Sequence, residues 1–353
     1  MQIFVVKKAK VANAKIDRLI ERPQNMPDTI NVRLIVAVIF VSIILSFSAG
    51  CVEETSKTSN VDLYVDAVTL KENNQKEKAI EKLNQSIQTD ENFSAAYSQL
   101  GDIYKEDKNY QLSARSYEKA TELNPWSFHD QYNLGQSYQS MEEYKPAVKA
   151  YGKACEIKPD HLDAHLHAAE SYYQLNDYDN ALAYGTKAQN IDASASSVQE
   201  LLGNIYDRTN NYDSAIASYK RALELDSENP QIMKSLAIAY IKTSRIEPAK
   251  ELLLSSVALN PNDSLAFQHL GFCYLSLKDV DRAITAYQKA ININPKDWEA
   301  YKGLGVTYAL KAASSKDDSY KAKAVDQWRQ SLSIKPDQNT REKLIKYIEV
   351  YSK

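Results

Sequence analysis

Glycine is scarce, nine in 353 residues, and none sits in a pattern that would cradle a phosphate. Cysteine is scarcer still. Cys51, Cys155 and Cys273 lie far apart, with no CxxC or other close spacing, which excludes a disulfide framework and a cysteine metal cluster. Basic runs are missing as well. Net charge is -3, but residues 1–51 carry seven Lys or Arg against three Asp or Glu, leaving 36 basic and 43 acidic residues, or -7, for the remainder. A body of that charge offers no phosphate-neutralising surface, so no nucleic-acid partner is expected. There is no serine elbow, and no carboxylate pair stands apart from the repeated pattern described below. Histidines gather only in HLDAHLH, at His161, His165 and His167. His161 and His165 share the spacing of some zinc pairs, but the glutamate of HExxH and a third ligand are missing. Packing or surface placement is the expectation there, and no metal, cofactor or catalytic residue is assigned.

One long apolar run is present. Leu34 to Val52 are 19 consecutive uncharged residues, nearly enough as a helix to match a hydrocarbon core about 30 Å thick. Lys7, Lys8, Lys10, Lys15, Arg18, Arg22 and Arg33 precede it, which orients the N-terminus to the cytoplasm and everything after Cys51 to the outside. The densest part, Leu34 to Phe47, suits the h-region of an export signal. The following Ser48-Ala49-Gly50-Cys51 resembles the lipobox of prokaryotic lipoprotein signals, with Ser48 where leucine is commoner. That resemblance implies a lipid on Cys51, and a doubly chained lipid suffices for stable anchoring. The alternative is an uncleaved signal-anchor helix with an incidental cysteine. Residues 1–33 are long for an n-region, whereas a start at Met26 leaves a presequence of 25 residues, Met26 to Gly50. The expected layout is a basic extension over 1–33, an apolar segment over 34–51, a linker over 52–59, a repeat body over 60–336 and a capping segment over 337–353.

The body is periodic. Tyr104, Tyr138, Tyr172, Tyr206, Tyr240, Tyr274 and Tyr308 are each 34 residues apart, with Leu70 one period earlier. Three residues before each stands a small residue: Ala67, Gly101, Gly135, Ala169, Gly203, Ala237, Gly271 and Gly305. Two further small slots follow at fixed offsets, one running from Ala79 to Ala283 and one from Ser86 to Ser331. Pro125, Pro159, Pro261, Pro295 and Pro336 close their repeats.

These residues resemble the tetratricopeptide repeat, a helix-turn-helix of 34 residues with small residues where its helices touch. Eight copies begin near residues 60, 94, 128, 162, 196, 230, 264 and 298. The resemblance implies an all-α fold, a right-handed α-solenoid of eight repeats with a C-terminal capping helix, preceded by one N-terminal hydrophobic helix. Glycine in a helix interior costs about 1 kcal/mol relative to alanine, so five glycines at one repeat position require a packing reason, here a close helix approach. Tyrosine one turn on buries its ring and keeps its hydroxyl near water. Asp179, Asp213 and Asp281 are expected to cap second helices, with Pro146 and Pro248 in first turns. A seven-residue insertion within Ala312 to Lys323 reads as a longer solvated turn. Thr340 to Tyr351 reads as an amphipathic helix covering the end of the stack with Leu344, Ile345, Tyr347 and Ile348. Cys155 and Cys273 are expected to be buried.

The family resemblance also implies a concave groove lined by the second, fifth, ninth and twelfth residues of each repeat. Carried over, repeats two to five supply Ala95, Ser98, Asp102, Lys105, His129, Tyr132, Gln136, Gln139, Asp163, Leu166, Glu170, Tyr173, Ser197, Glu200, Asn204 and Asp207, a polar, acidic and partly aromatic set. Repeats six to eight supply Gln231, Lys234, Ile238, Ile241, Leu265, Gln268, Phe272, Leu275, Glu299, Lys302, Val306 and Ala309, distinctly more apolar. The alternative for Ile238, Ile241, Phe272 and Leu275 is that neighbouring helices cover them. No repeat carries Lys with Asn at its fifth and ninth positions, which argues against the carboxylate clamp of chaperone-binding family members. The functional expectation is a non-catalytic, membrane-anchored scaffold on the extracytoplasmic side that binds protein or peptide partners, in envelope or pilus assembly by analogy of layout. Two alternatives are a relative of glycosyltransferase-associated arrays and a self-associating structural protein. About 17 residues follow Pro336, so no enzymatic domain is expected there.

Overall fold

Small residues recur in this chain wherever two helices must touch, and the fold is the consequence. The computed structural model describes residues 59–352, apart from residue 316. Cys51, the apolar run and the alternative start at Met26 lie outside the described residues. Seventeen helices follow one another within that range, with no strand among the described residues. They pair into eight repeats. The first is α1 (Asn60–Glu72) with α2 (Lys76–Thr89), followed by α3 (Ser94–Glu106) with α4 (Tyr110–Leu123) and α5 (Phe128–Ser140) with α6 (Tyr144–Ile157). Next come α7 (Leu162–Gln174) with α8 (Tyr178–Ile191), α9 (Ser196–Arg208) with α10 (Tyr212–Leu225), and α11 (Pro230–Lys242) with α12 (Ile246–Leu259). The last two pairs are α13 (Ser264–Ser276) with α14 (Val280–Ile293) and α15 (Trp298–Ser315) with α16 (Ser319–Ile334), and α17 (Arg341–Tyr351) ends the stack. Each helix packs on its sequence neighbours, and first helices from α5 to α15 also touch the next first helix. That is α-solenoid packing.

The glycines owe their place to a ring rather than to the approach of two backbones. A Cβ on Gly101, Gly135, Gly203 or Gly271 would stand between 2.5 and 2.8 Å from Tyr117, Tyr151, Tyr219 or Tyr287 respectively, each from the second helix of the same repeat. Trp328 fills the corresponding space against Gly305. Repeats with alanine instead of glycine carry a smaller partner: Ala67 goes with Leu83, Ala237 with Leu253 and Ala169 with Gly185. In the Ala67–Leu83 and Ala237–Leu253 pairs volume is exchanged at nearly constant sum, as close packing demands, whereas at Gly185 the space is taken by Leu202 and Ile205 of the next repeat. The later small slot is also explained. Where it holds serine, the hydroxyl donates to the carbonyl of the first residue of its own repeat: Ser86 to Asn60 at 2.7 Å, Ser256 to Pro230 at 2.9 Å and Ser331 to Trp298 at 2.8 Å.

The recurring tyrosines Tyr104, Tyr138, Tyr172 and Tyr206 are half-buried, and Tyr240, Tyr274 and Tyr308 are buried. Tyr172 stacks on Tyr184 at 5.4 Å and Tyr308 on Tyr320 at 5.9 Å.

Three local expectations change. The capping side chains stand two residues before those expected: Asp177, Asn211 and Asp279 accept from the amides of Asn180, Ser214 and Arg282. Asp179, Asp213 and Asp281 instead lie in the first turn, where a carboxylate favours the positive end of the helix dipole. The capping position follows from the turn, in which the preceding residue adopts positive φ in seven repeats, from Asn74 to Lys278. Pro146 and Pro248 are in first turns. The insertion is absorbed mainly as helix, since α15 has 18 residues where α13 has 13; Ala-Leu-Lys-Ala-Ala favours helix continuation. In α17, Leu344 is buried and Tyr347, Ile348 and Tyr351 pack beside it on the core, whereas Ile345 is exposed.

Candidate interaction face

The ninth and twelfth residues of neighbouring first helices meet edge to edge, and their chemistry changes along the stack. Near its start the meeting is polar. Lys105 Nζ donates to Gln136 Oε1 at 2.7 Å and also to Asn133 Oδ1. Gln136 Nε2 donates to the Tyr132 hydroxyl at 3.2 Å, and Gln139 Nε2 donates to Glu170 Oε2 at 3.1 Å. Glu170 is also paired with His167 Nδ1 at 3.0 Å. Arg208 Nε donates to the Tyr173 hydroxyl at 3.2 Å, and Lys242 pairs with Asp207 at 2.6 Å.

Aromatic rings from the second helices reach this same face. The Tyr117 hydroxyl donates to Asp102 Oδ1 at 2.5 Å, Tyr151 to Gln139 Oε1 at 2.6 Å and Tyr219 to Asn204 Oδ1 at 2.7 Å. Burial and the adjoining carboxylates push the phenols of Tyr117 and Tyr219 upward. Burial likewise lifts Tyr132 to about 12, with Asp163 adding to it. Asp102 ends below the ordinary carboxylate value: burial raises it, but the hydrogen bonds from His129 and Tyr117 prevail. Tyr132 also packs against Phe128, Tyr151, His161 and His167 with centroids 5.3–6.0 Å apart.

Toward the C-terminus the same positions turn apolar. Ile241, Phe272, Leu275 and Val306 line one cavity of about 740 Å³, closed on one side by Leu344, Tyr347 and Tyr351 of α17. Phe272 is 42% exposed, whereas Ile241, Leu275 and Val306 are half-buried. Ile238 is half-buried outside the cavity wall. The C-terminal helix therefore frames the apolar positions without covering all of them. Tyr117, Tyr151, Tyr219 and Tyr287 are the face residues missed by reading tyrosines at one offset only; they too recur at multiples of 34.

His161 and His165 serve the fold. His161 caps α7, its Nδ1 accepting from the Ala164 amide at 3.2 Å. His165 is 3% exposed and bonds the Pro159 carbonyl through Nε2 at 2.9 Å. No group of three or more potential metal ligands occurs among the described residues. Cys155 and Cys273 are buried free thiols, and burial pushes them up to about 11 and about 12 respectively. Both are thereby poor nucleophiles at neutral pH. No described helix is long and apolar enough to cross a membrane.

Paired helices stacked at one fixed sequence interval define a helical-repeat solenoid. This one is a tetratricopeptide repeat protein. Family models described as "Anaphase-promoting complex, cyclosome, subunit 3", "Tetratricopeptide repeat" and "TPR repeat" match residues 106–188, 208–270 and 271–311. Among solved structures, the APC/C hetero-tetramer Cut9-Hcn1 is 17% identical, covering 90% of this chain and 59% of that one at a TM-score of 0.56. The C-terminal part of a TPR repeat-containing protein from Cytophaga hutchinsonii is 16% identical, covering 71% and 99%, at 0.55. Pseudomonas aeruginosa PilF is 20% identical, covering 59% and 94%, at 0.51. At these identities the likeness concerns the fold. No curated protein matches the chain.

Proposed function

We propose that the protein is a non-catalytic scaffold that binds a polypeptide along the ninth and twelfth positions of its first helices. The observation carrying this is the passage, on one face, from the Lys105–Gln136 and Gln139–Glu170 hydrogen bonds to the cavity under Ile241, Phe272, Leu275 and Val306. Stacked repeats present extended binding surfaces, and an exposed apolar patch with a polar approach suits a partner chain. Phe272→Ala with Leu275→Ala tests it: partner capture falls while helix content persists, and undiminished capture rejects the face.

The setting belongs to the same proposal. The N-terminal segment holds the repeat body to the membrane on its extracytoplasmic side, through a lipid on Cys51. Envelope or pilus assembly is the refinement suggested by resemblance of layout to tetratricopeptide lipoproteins. Membrane fractionation and mass analysis of Cys51→Ala decide the anchor: loss of the lipid mass and altered processing support it, and an unchanged mass and processing pattern leaves a spanning helix.

A further inference from the structure

In repeats two, three and five the aromatic hydroxyl from the second helix is satisfied by an oxygen on the first helix, at Asp102, Gln139 or Asn204. Those acceptors hold the ninth or twelfth position of their repeats. Repeat seven has Phe272 and Leu275 there, and neither supplies a side-chain acceptor. The Tyr287 hydroxyl accordingly has no hydrogen-bond partner among the described residues. Tyr287 is 3% exposed and borders the cavity. It has no room to turn away, because its ring is gripped between two glycines: a Cβ on Gly271 would lie 2.8 Å from its Cδ1, and one on Gly303 would overlap its Cζ. Its oxygen is not sealed in but opens into the cavity, where it is free to donate to a ligand oxygen.

The neighbouring polar groups fit the same ligand. His269 lines the cavity without a hydrogen-bond partner among the described residues; burial lowers its pKa to about 4, leaving a neutral imidazole able to donate one N–H. Lys302 and Lys343 also line it. Each lies against an aromatic ring, Trp298 at 4.6 Å and Tyr347 at 5.7 Å, with no carboxylate within ion-pair distance among the described residues. The one lining carboxylate, Glu299, already accepts from Gln268 at 3.1 Å. Apolar walls thus enclose a donor set and two cations that lack an anion.

The geometry points to this cavity as the seat of one bulky apolar side chain of a partner polypeptide, with a carboxylate beside it that receives Tyr287 and His269 and faces Lys302 and Lys343. This assignment rests on the proposed interaction face and specifies what occupies its C-terminal end. The occupant is a polypeptide because the cavity joins, through Ile241 and Phe272, the row of ninth and twelfth positions continuing toward the N-terminal repeats. Aromatic and aliphatic anchors in desolvated pockets carry most binding energy, and a charge-assisted contact fixes their register.

A displayed library of random short peptides, selected on the full chain, tests the assignment. Recovered peptides are expected to combine Phe, Leu, Ile, Met or Trp with a neighbouring Asp or Glu. Tyr287→Phe, which keeps the ring, is expected to weaken them roughly fivefold to tenfold. Lys302→Glu with Lys343→Glu is expected to shift the selection to basic neighbours. Peptides without acidic enrichment, bound equally by both variants, overturn the assignment and leave the interaction face standing. Recovery of no peptide overturns both. Binding of dodecanoate with the same sensitivity to these variants, and no peptide recovered, gives the cavity to a lipid and likewise overturns the proposal.

Discussion

The ring of Tyr219 occupies the volume that a side chain on Gly203 would need, a Cβ there falling 2.5 Å from Tyr219 Cε1. Two natural repeats solve the same contact with Ala67 and Leu83 or Ala237 and Leu253. Gly203→Ala is therefore expected to destabilise the protein by about 2 kcal/mol through overpacking. Adding Tyr219→Leu should recover part of that loss, with a coupling energy of about 1 kcal/mol in a double-mutant cycle followed by urea unfolding.

The first-to-second helix turns place Glu142 at φ 60° and Lys278 at φ 66°. The Glu143 amide donates to the Tyr138 carbonyl at 2.9 Å and the Glu142 amide to the Gln139 carbonyl at 3.0 Å, the hydrogen-bond pattern of a Schellman turn. A left-handed conformation costs a residue with a Cβ about 1–2 kcal/mol. Glu142→Gly is expected to raise stability by about 0.5–1 kcal/mol after the entropic cost of glycine is subtracted. Glu142→Ala, which keeps a Cβ, should give no comparable rise in melting temperature.

Lys234 and Asp263 form an ion pair of 2.6 Å with side chains only 10% and 12% exposed. Burial alone raises the Asp263 carboxyl, but the hydrogen bonds from Lys234 and the Ala266 amide leave it below its ordinary value. Lys234→Met strands a buried carboxylate and should cost about 3 kcal/mol at neutral pH. Because folding depresses this pKa, its stabilising contribution is complete above the unfolded value of about 4 and vanishes as pH falls through the folded value. The gap between wild type and variant in denaturant titrations should therefore close in acid.

The cores of the repeats differ. Buried apolar residues form one cluster from Ala215 to Leu344. In repeats three and four the interior is broken into smaller groups and admits Asp130, Gln131, Asn133, Ser137 and His165. Local opening costs less where fewer apolar contacts are lost. Amides of α5 to α7 are expected to exchange at least about tenfold faster than those of α11 to α14 in native-state hydrogen exchange.

The period of 34 residues made the helix pairs legible, because a small residue and a tyrosine three places later mark where each pair packs. It hid the filling of the glycine gap, since Tyr117, Tyr151, Tyr219 and Tyr287 are interrupted by Gly185 and Leu253 at the same offset. The ninth and twelfth positions came from family register and now show inter-repeat bonds at Lys105 and Gln139 and a shared cavity at Phe272 and Leu275. The true caps Asp177, Asn211 and Asp279 were obscured by a second acidic residue two places on. The insertion reads as a loop by the general behaviour of repeat inserts, whereas its alanines carry the helix on to Ser315. The bare hydroxyl of Tyr287 was beyond sequence reading, as it depends on a ring reaching across from the neighbouring helix.

The most direct test is site-specific photo-crosslinking in cells from the full chain, with p-benzoylphenylalanine at Phe272 on the interaction face or at Ile293 in α14. Both positions are exposed, at 42% and 37%, so access alone does not separate them. A discrete polypeptide adduct is expected from Phe272 and none from Ile293. An adduct from Ile293 with none from Phe272 would contradict the proposed interaction face.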